Sequence, residues 1–196
     1  MDIVTRVKGI LISPRTEWPV IAAEPATVGS LFTGYAMILA AIPAIAGLIG
    51  ATVVGFEVDG RTFTLPFGTT LFQAVVQYVL SLVGVWLLGM VIDLLAPSFG
   101  GTRDAVAAMK VAIYGATAFW LAGIFGIIPA LAVLAILGLY SFYLFYTGLP
   151  VLMRCPPDRA LVYTAAVAVC GLVIGMVIGG ISTFIMVRQY DLQPPL

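Results

Sequence analysis

Two ionisable side chains, Asp93 and Lys110, sit in stretches that are otherwise apolar and uncharged. A charge inside a membrane is costly, so such residues are paired or functional. Asp93 lies about three residues from the end of one apolar run and Lys110 about five residues into the next, so at ~1.5 Å per residue their depths differ by only a few ångström. An ion pair across the connecting turn is therefore expected. The alternatives are a proton or ion relay, or a lysine that reaches out alone to the lipid headgroups.

Hydroxyl groups form the second set of candidates. Lys110, Tyr114 and Thr117 share one helical face, and Tyr140, Tyr143 and Thr147 share another. Two such stripes on adjacent helices would line a polar crevice for a headgroup or a small solute, or would tie the helices together by hydrogen bonds. Gln73, Gln77 and Ser81 form a further stripe, and Asp93 lies roughly 200° around the helix from Gln73. Gly171, Gly175 and Gly179 recur every four residues, a small-residue seam expected to pack inside the bundle, with dimerisation as the alternative.

Enzyme chemistry has little to work with. The chain has no histidine, which removes the usual general base and the commonest metal ligand. An aspartyl intramembrane protease needs two carboxylates, and only Asp93 is placed for that role. No Walker-type GxxxxGK occurs. Cys155 stands beside Arg154, which would lower its pKa, but one thiol does not make a site, and two cysteines are too few for a disulfide framework. No catalytic residue, cofactor or metal is expected.

These side chains need a scaffold, and composition sets its class. The 196 residues are 62% hydrophobic and 9% charged with zero formal net charge, against roughly 25% charged residues in a soluble domain. The chain reads as an all-α polytopic membrane protein, and nothing in its charge points to nucleic acid. A helix needs about 20 apolar residues to cross the hydrocarbon. Residues 28–56, 68–96 and 160–187 each supply one span. The uncharged run 111–153 supplies two, joined by a tight turn near Gly126 to Pro129. The "EVDGRTFTLPF" and "PSFGGTRD" stretches read as loops. Three regions result: an N-terminal segment 1–27, a five-span domain 28–187 and a short external tail 188–196.

The N-terminal segment has helical periodicity of its own. Ile3, Val7, Ile10 and Leu11 share a face, so a short amphipathic helix lying on the membrane surface is expected. Ser13-Pro14 or Thr16 would start a second helix. Arg6 and Lys8 are expected to face anionic lipid and Trp18 to anchor at the headgroups. Arg6, Lys8, Arg15, Arg103, Lys110, Arg154 and Arg159 fall on one side of a five-span topology, and Arg61 and Arg188 on the other. The positive-inside rule then puts the N-terminus in the cytoplasm and the C-terminus outside. The aromatic run in "GLYSFYLFYTGLPVLMRCP" reads as an interfacial belt at the cytoplasmic end of the fourth span.

The order of residues in "AIYGATAFWLAGIFGIIPAL" and "LGLYSFYLFYTGLPVLMRCPPDRALVYT" resembles the pattern of bacterial members of the Yip family. "SPRTEWPVIAAEPATVGSLFTGY" and "DLLAPSFGG" follow the same pattern. These are five-span proteins related to the Ypt/Rab-interacting proteins of the eukaryotic secretory pathway. The resemblance implies a five-helix domain with a cytoplasmic N-terminus in a bacterial inner membrane, and implies no established activity. The expected function is a non-enzymatic, membrane-organising or partner-binding protein working on its cytoplasmic face. The expected partners are membrane lipids, a protein at that face and further copies of the chain. The rival reading is a transporter or channel using a polar crevice between spans two, three and four.

Overall fold

The computed structural model describes residues 2–191. It is built from α-helices, with five of them long and apolar enough to cross a membrane: Val28–Val54, Phe67–Phe99, Ala105–Ile127, Pro129–Leu152 and Ala160–Arg188. Each falls where an uncharged run predicts it. The long run between Lys110 and Arg154 divides at Ile128, an extended residue followed by Pro129. Proline has no N–H to donate and restrains the residue before it, so the chain turns there. The halves flanking this turn, Gly123–Ile127 and Pro129–Leu139, are wound as the tighter 3-10 helix.

Two short helices precede the spans: α1 (Ile3–Ile12) and α2 (Pro14–Ala23). Asp2 caps α1 by accepting from the Thr5 N–H at 3.3 Å. Of the two candidate starts for α2, Pro14 takes the first helical position, while the Thr16 hydroxyl donates to Ser13 O at 2.9 Å. The apolar face of this segment, expected to lie on lipid, is turned to the protein. Ile3, Val7 and Leu11 pack against the core of the protein, and Ile10 is fully buried. The apolar face of α1 therefore meets the bundle rather than lipid.

The loop between the first two spans is a small antiparallel hairpin, β1 (Phe56–Val58) with β2 (Arg61–Phe63). Asp59 and Gly60 both have positive φ, at 50° and 73°, as a two-residue turn matched to strand twist requires. The Asp-Gly pair in the sequence carried that signal.

Close backbone crossings hold the spans together. A side chain on Gly123 would enter Pro43, with its Cβ only 3.0 Å from Pro43 Cα. A Cβ on Gly50 would strike the Gly126 carbonyl. The first and third spans thus touch through glycine and proline, which lets helix axes approach. After the second span, Gly100 takes φ 75° to end the helix, and a Cβ on Gly101 would lie 2.7 Å from Met153 O. Thr102 N donates to that same carbonyl at 2.8 Å, which joins the two loops at this end of the bundle. Of the seam at Gly171, Gly175 and Gly179, Gly171 packs inside the bundle, with Leu88 of the second span 3.6 Å from a Cβ built there, and the other two do not. Nothing lies within 4 Å of a Cβ built on Gly175 or Gly179, because the second span contacts a different stripe of the fifth, through Ile174 and Ile178. Of the tail 188–196, residues 192–196, including Gln193, lie outside the described residues.

Cys155 lies in the loop before the last span and is buried, 4% exposed. Burial pushes its thiol above the ordinary value and Asp158 adds to the shift, so the lowering expected from Arg154 does not occur. A raised pKa means less thiolate near neutrality, and thiolate is the reacting species. In membranes at pH 7, maleimide should label Cys155 at least about tenfold more slowly than in the unfolded chain. The rate should climb as pH rises toward the shifted pKa. Labelling as fast as in denaturant would place this loop outside the packed structure.

Candidate functional site

Charged and hydroxyl side chains collect at the end of the bundle that carries α1 and α2. Arg6 projects from α1 on the same face as Ile10 and is 3% exposed. Its guanidinium is bound by two carboxylates, Glu17 of α2 and Glu24 just after it. A guanidinium does not lose its proton in a protein, so its burial requires such partners. Gly9 leaves the room: a Cβ there would lie 2.6 Å from the Glu17 carboxyl carbon. The Arg6 guanidinium also sits over the Tyr114 ring, 5.7 Å from its centroid.

Tyr114 meets Tyr35 of the first span edge-on at 4.6 Å. The Tyr35 hydroxyl shares a 2.9 Å hydrogen bond with Thr117 Oγ1, and Thr117 also bonds Tyr114 O at 2.7 Å. Arg6, Tyr114, Tyr35 and Thr117 therefore form one continuous chain of contacts through the protein.

Lys110 completes the cluster. Its Nζ donates to Ile21 O at 2.7 Å and to Glu24 O at 2.6 Å. These carbonyls belong to the end of α2, where helical backbone acceptors lack partners and a cation is favoured. The expected Asp93–Lys110 pair is not formed. Asp93 Oδ2 instead accepts from Arg103 Nε at 3.0 Å and Nη2 at 2.7 Å. Arg103 lies in the connecting turn, ten residues from Asp93, and its forked head reaches back to the second span. Lys110 points to the end of α2.

The N-terminal anchors are also reassigned. Trp18 is fully buried, and its Nε1 donates to Thr147 Oγ1 at 3.1 Å. Its ring occupies the space that a side chain on Gly148 would fill, 2.6 Å from a Cβ built there. Thr147-Gly148 is thus the seat of Trp18, which explains why a hydroxyl and a glycine interrupt the aromatic run of the fourth span. Arg6 faces carboxylates rather than lipid. Lys8 alone of the three remains exposed.

The two tyrosine stripes do not join into a crevice. Tyr114 and Thr117 are engaged with Tyr35 inside the bundle. Tyr140 and Tyr143 are partly exposed, 37% each, with ring centroids 5.4 Å apart. The Tyr140 hydroxyl donates to Leu11 O at 2.9 Å and so holds the end of α1. The Gln73–Gln77–Ser81 stripe likewise makes interhelical bonds. Gln73 and Gln77 meet Ser182 of the fifth span, the latter at 3.1 Å, and Ser81 accepts from Trp120 Nε1 at 3.2 Å. Glu17, Glu24 and Tyr35 are the members that sequence spacing did not single out. Their signal was two carboxylates in a segment otherwise suited to anionic lipid.

A family profile described as "Yip1 domain" matches residues 8–179, a range that takes in the second half of α1, all of α2 and the cluster apart from Arg6. The chain is 32% identical over 126 residues to "Inner membrane protein YohC" of Escherichia coli strain K12, covering 64% of this chain and 65% of that protein. The same figures hold for "Inner membrane protein YohC" of Escherichia coli O6:H1 strain CFT073. The match thus spans just under two thirds of the length of these curated relatives. No solved structure matches the chain.

The pairing pattern predicts energetic couplings. Arg6→Met strands the buried Glu17 and the half-exposed Glu24, and breaking a buried pair costs about 3–5 kcal/mol in soluble proteins. Arg6→Met/Glu17→Gln should recover part of that loss. Asp93→Asn and Lys110→Met, which share no partner, should add within about 0.5 kcal/mol, whereas Asp93→Asn and Arg103→Gln should not add. Thermal unfolding of the parent, single and double variants in detergent measures all three cycles. Coupling between positions 93 and 110 would refute this assignment of partners.

Proposed function

The chain belongs to the Yip1-domain family of membrane proteins, and on that premise we propose that it works as a non-enzymatic, membrane-organising or partner-binding protein of a bacterial inner membrane. Its likeness to inner membrane proteins of Escherichia coli supports the choice of membrane. Its working surface is the outer face of α1 and α2, held on the cytoplasmic side. The positive-inside bias supports that orientation, since Lys8, Arg15, Arg103, Arg154 and Arg159 are all exposed at this end.

One observation carries the reading. The N-terminal helices are fixed to the bundle by buried contacts, yet their outer face stays mixed apolar and basic. Ile12 is 78% exposed, Val4 55% and Val20 44%, and Lys8 and Arg15 stand among them. Exposed apolar groups rimmed by charge mark interaction surfaces, and a face already rigid loses little conformational entropy on binding. A transport path would instead need polar side chains free to face a solute. The hydroxyls and amides at Tyr35, Gln77, Thr117 and Ser182 are engaged with one another or with backbone.

Photo-reactive residues placed at Lys8 and Ile12 test the surface, with Thr62 in the hairpin as control. Protein adducts in living cells are expected at 8 and 12 and not at 62. Purified protein in liposomes should leave ion and small-solute flux at the protein-free level. Flux that depends on the protein, with no adduct at 8 or 12, would replace this reading by the transporter.

A further inference from the structure

Beside the Asp93–Arg103 pair the bundle has a cavity of about 260 Å³. Val28 and Ala105, which line it, are the first residues of the first and third spans, so it lies at the membrane boundary. Beside Gly89 and Met109, its apolar wall holds Trp86, Met90 and Leu94. They are spaced by four, so they make a single stripe along the second span. All three are exposed, at 43%, 42% and 58%. The stripe runs about 12 Å, at ~1.5 Å per residue, from the boundary toward the membrane interior.

The polar end of the cavity is incompletely satisfied. Both Arg103 bonds go to Asp93 Oδ2. Asp93 Oδ1 is buried and has no donor, and Asp93 is the one acidic residue within the five spans. A buried acceptor without a donor is uncommon and calls for an explanation. Arg103 is in the complementary state. Its side chain is 57% exposed, and its Nη1 makes no hydrogen bond among the described residues.

We propose that this cavity binds a phospholipid whose headgroup carries a primary ammonium beside its phosphate. The ammonium donates to the Asp93 carboxylate, whose two oxygens turn together about the soft Cβ–Cγ torsion, so that as Oδ1 comes to the cavity Arg103 exchanges a bond to Oδ2 for one to the phosphate. The phosphate accepts from Arg103, whose planar fork suits it. One acyl chain lies along Leu94, Met90 and Trp86. A ligand with both charges leaves the Asp93–Arg103 pair neutralised overall, which a lone anion or cation does not. A choline headgroup has no N–H to give to Oδ1, and a glycerol headgroup has no cation. The apolar stripe leading inward selects a lipid over a soluble amine. This site deepens the membrane-organising reading and rests on it only in taking lipid as a working partner.

Native mass spectrometry of the full chain in mild detergent tests the site, using phosphatidylethanolamine, phosphatidylcholine and phosphatidylglycerol with identical acyl chains. Phosphatidylethanolamine should bind at least tenfold more tightly than the other two. Asp93→Asn and Arg103→Gln should each remove that preference. Ala105→Phe fills the cavity from an exposed wall position, so it should lower binding tenfold with the melting temperature unchanged, whether or not the charge variants fold. A tenfold excess of free phosphoethanolamine should leave the lipid bound. Equal retention of the three lipids, unchanged retention in Ala105→Phe, or displacement by free phosphoethanolamine would each overturn the assignment. The cross-linking at positions 8 and 12 is independent of this result, so failure here leaves the partner-binding surface standing.

Discussion

The guanidinium of Arg6 is the constraint on which the arrangement of the N-terminal end depends. It cannot be neutralised by losing a proton, and it is buried at 3% exposure. Burial of such a group requires carboxylates brought to it, and the only route for Glu17 and Glu24 is to fold α2 back against α1. That fold turns Trp18 inward onto Gly148 and presents the last carbonyls of α2 to Lys110. Three spans are thereby tied to the N-terminal helices. Tyr114 and Lys110 belong to the third, Thr147 and Tyr140 to the fourth, and Tyr35 of the first joins through Tyr114.

Span length explains how so many charges are tolerated. The second span has 33 residues, or about 50 Å at ~1.5 Å per residue, against a hydrocarbon core of about 30 Å. A helix tilted by 40°, the upper end of the usual range, still covers roughly 38 Å of depth. Part of it therefore stands outside the hydrocarbon. Asp93 and Arg103 lie toward the end where α1 and α2 are packed, and Lys110 lies in the first turns of the third span. The charged layer is consequently a protein-covered cap on the apolar bundle, where water and backbone carbonyls lower the cost that the same charges would meet at mid-membrane.

Which parts of this were legible in the sequence follows from the range of each interaction. Span number and the turn at Ile128 depend on runs of apolar residues and on proline, both local signals. Pairing is not local in that sense. Asp93 and Lys110 have matching depth, but depth says nothing about the direction a side chain takes around its helix. Arg103 served the sequence reading only as a topology marker, although its length lets it reach ten positions back. Arg6 carried the same ambiguity, since an amphipathic helix with a buried arginine and one with a lipid-facing arginine have the same pattern. Glu17 and Glu24 would have separated the two, because carboxylates are unfavourable beside anionic lipid and favourable beside a buried guanidinium.

The fifth span shows what holds the bundle together away from the buried charges. Lipid tails are as apolar as leucine, so burial of apolar surface does little to bring helices together in a bilayer. The long last helix leaves most of its surface open, including Gly175 and Gly179. Among the described residues, hydrogen bonds join it to the second span at two places. Near the cap, Tyr163 donates to the Ile92 carbonyl and stacks on Phe99 with centroids 4.8 Å apart. Toward the other end, Ser182 sits between Gln73 and Gln77. Between these ties the contact is closed by Gly84, where a Cβ would lie 2.6 Å from Ile178. Hydrogen bonds at both ends with a glycine between them fix the rotation of the helix about its own axis, which apolar packing against lipid-like neighbours does not specify. The same logic operates at the cap with charges in place of amides. In both places the apolar residues decide that a helix crosses the membrane, and a few polar side chains decide which face it turns toward its neighbour.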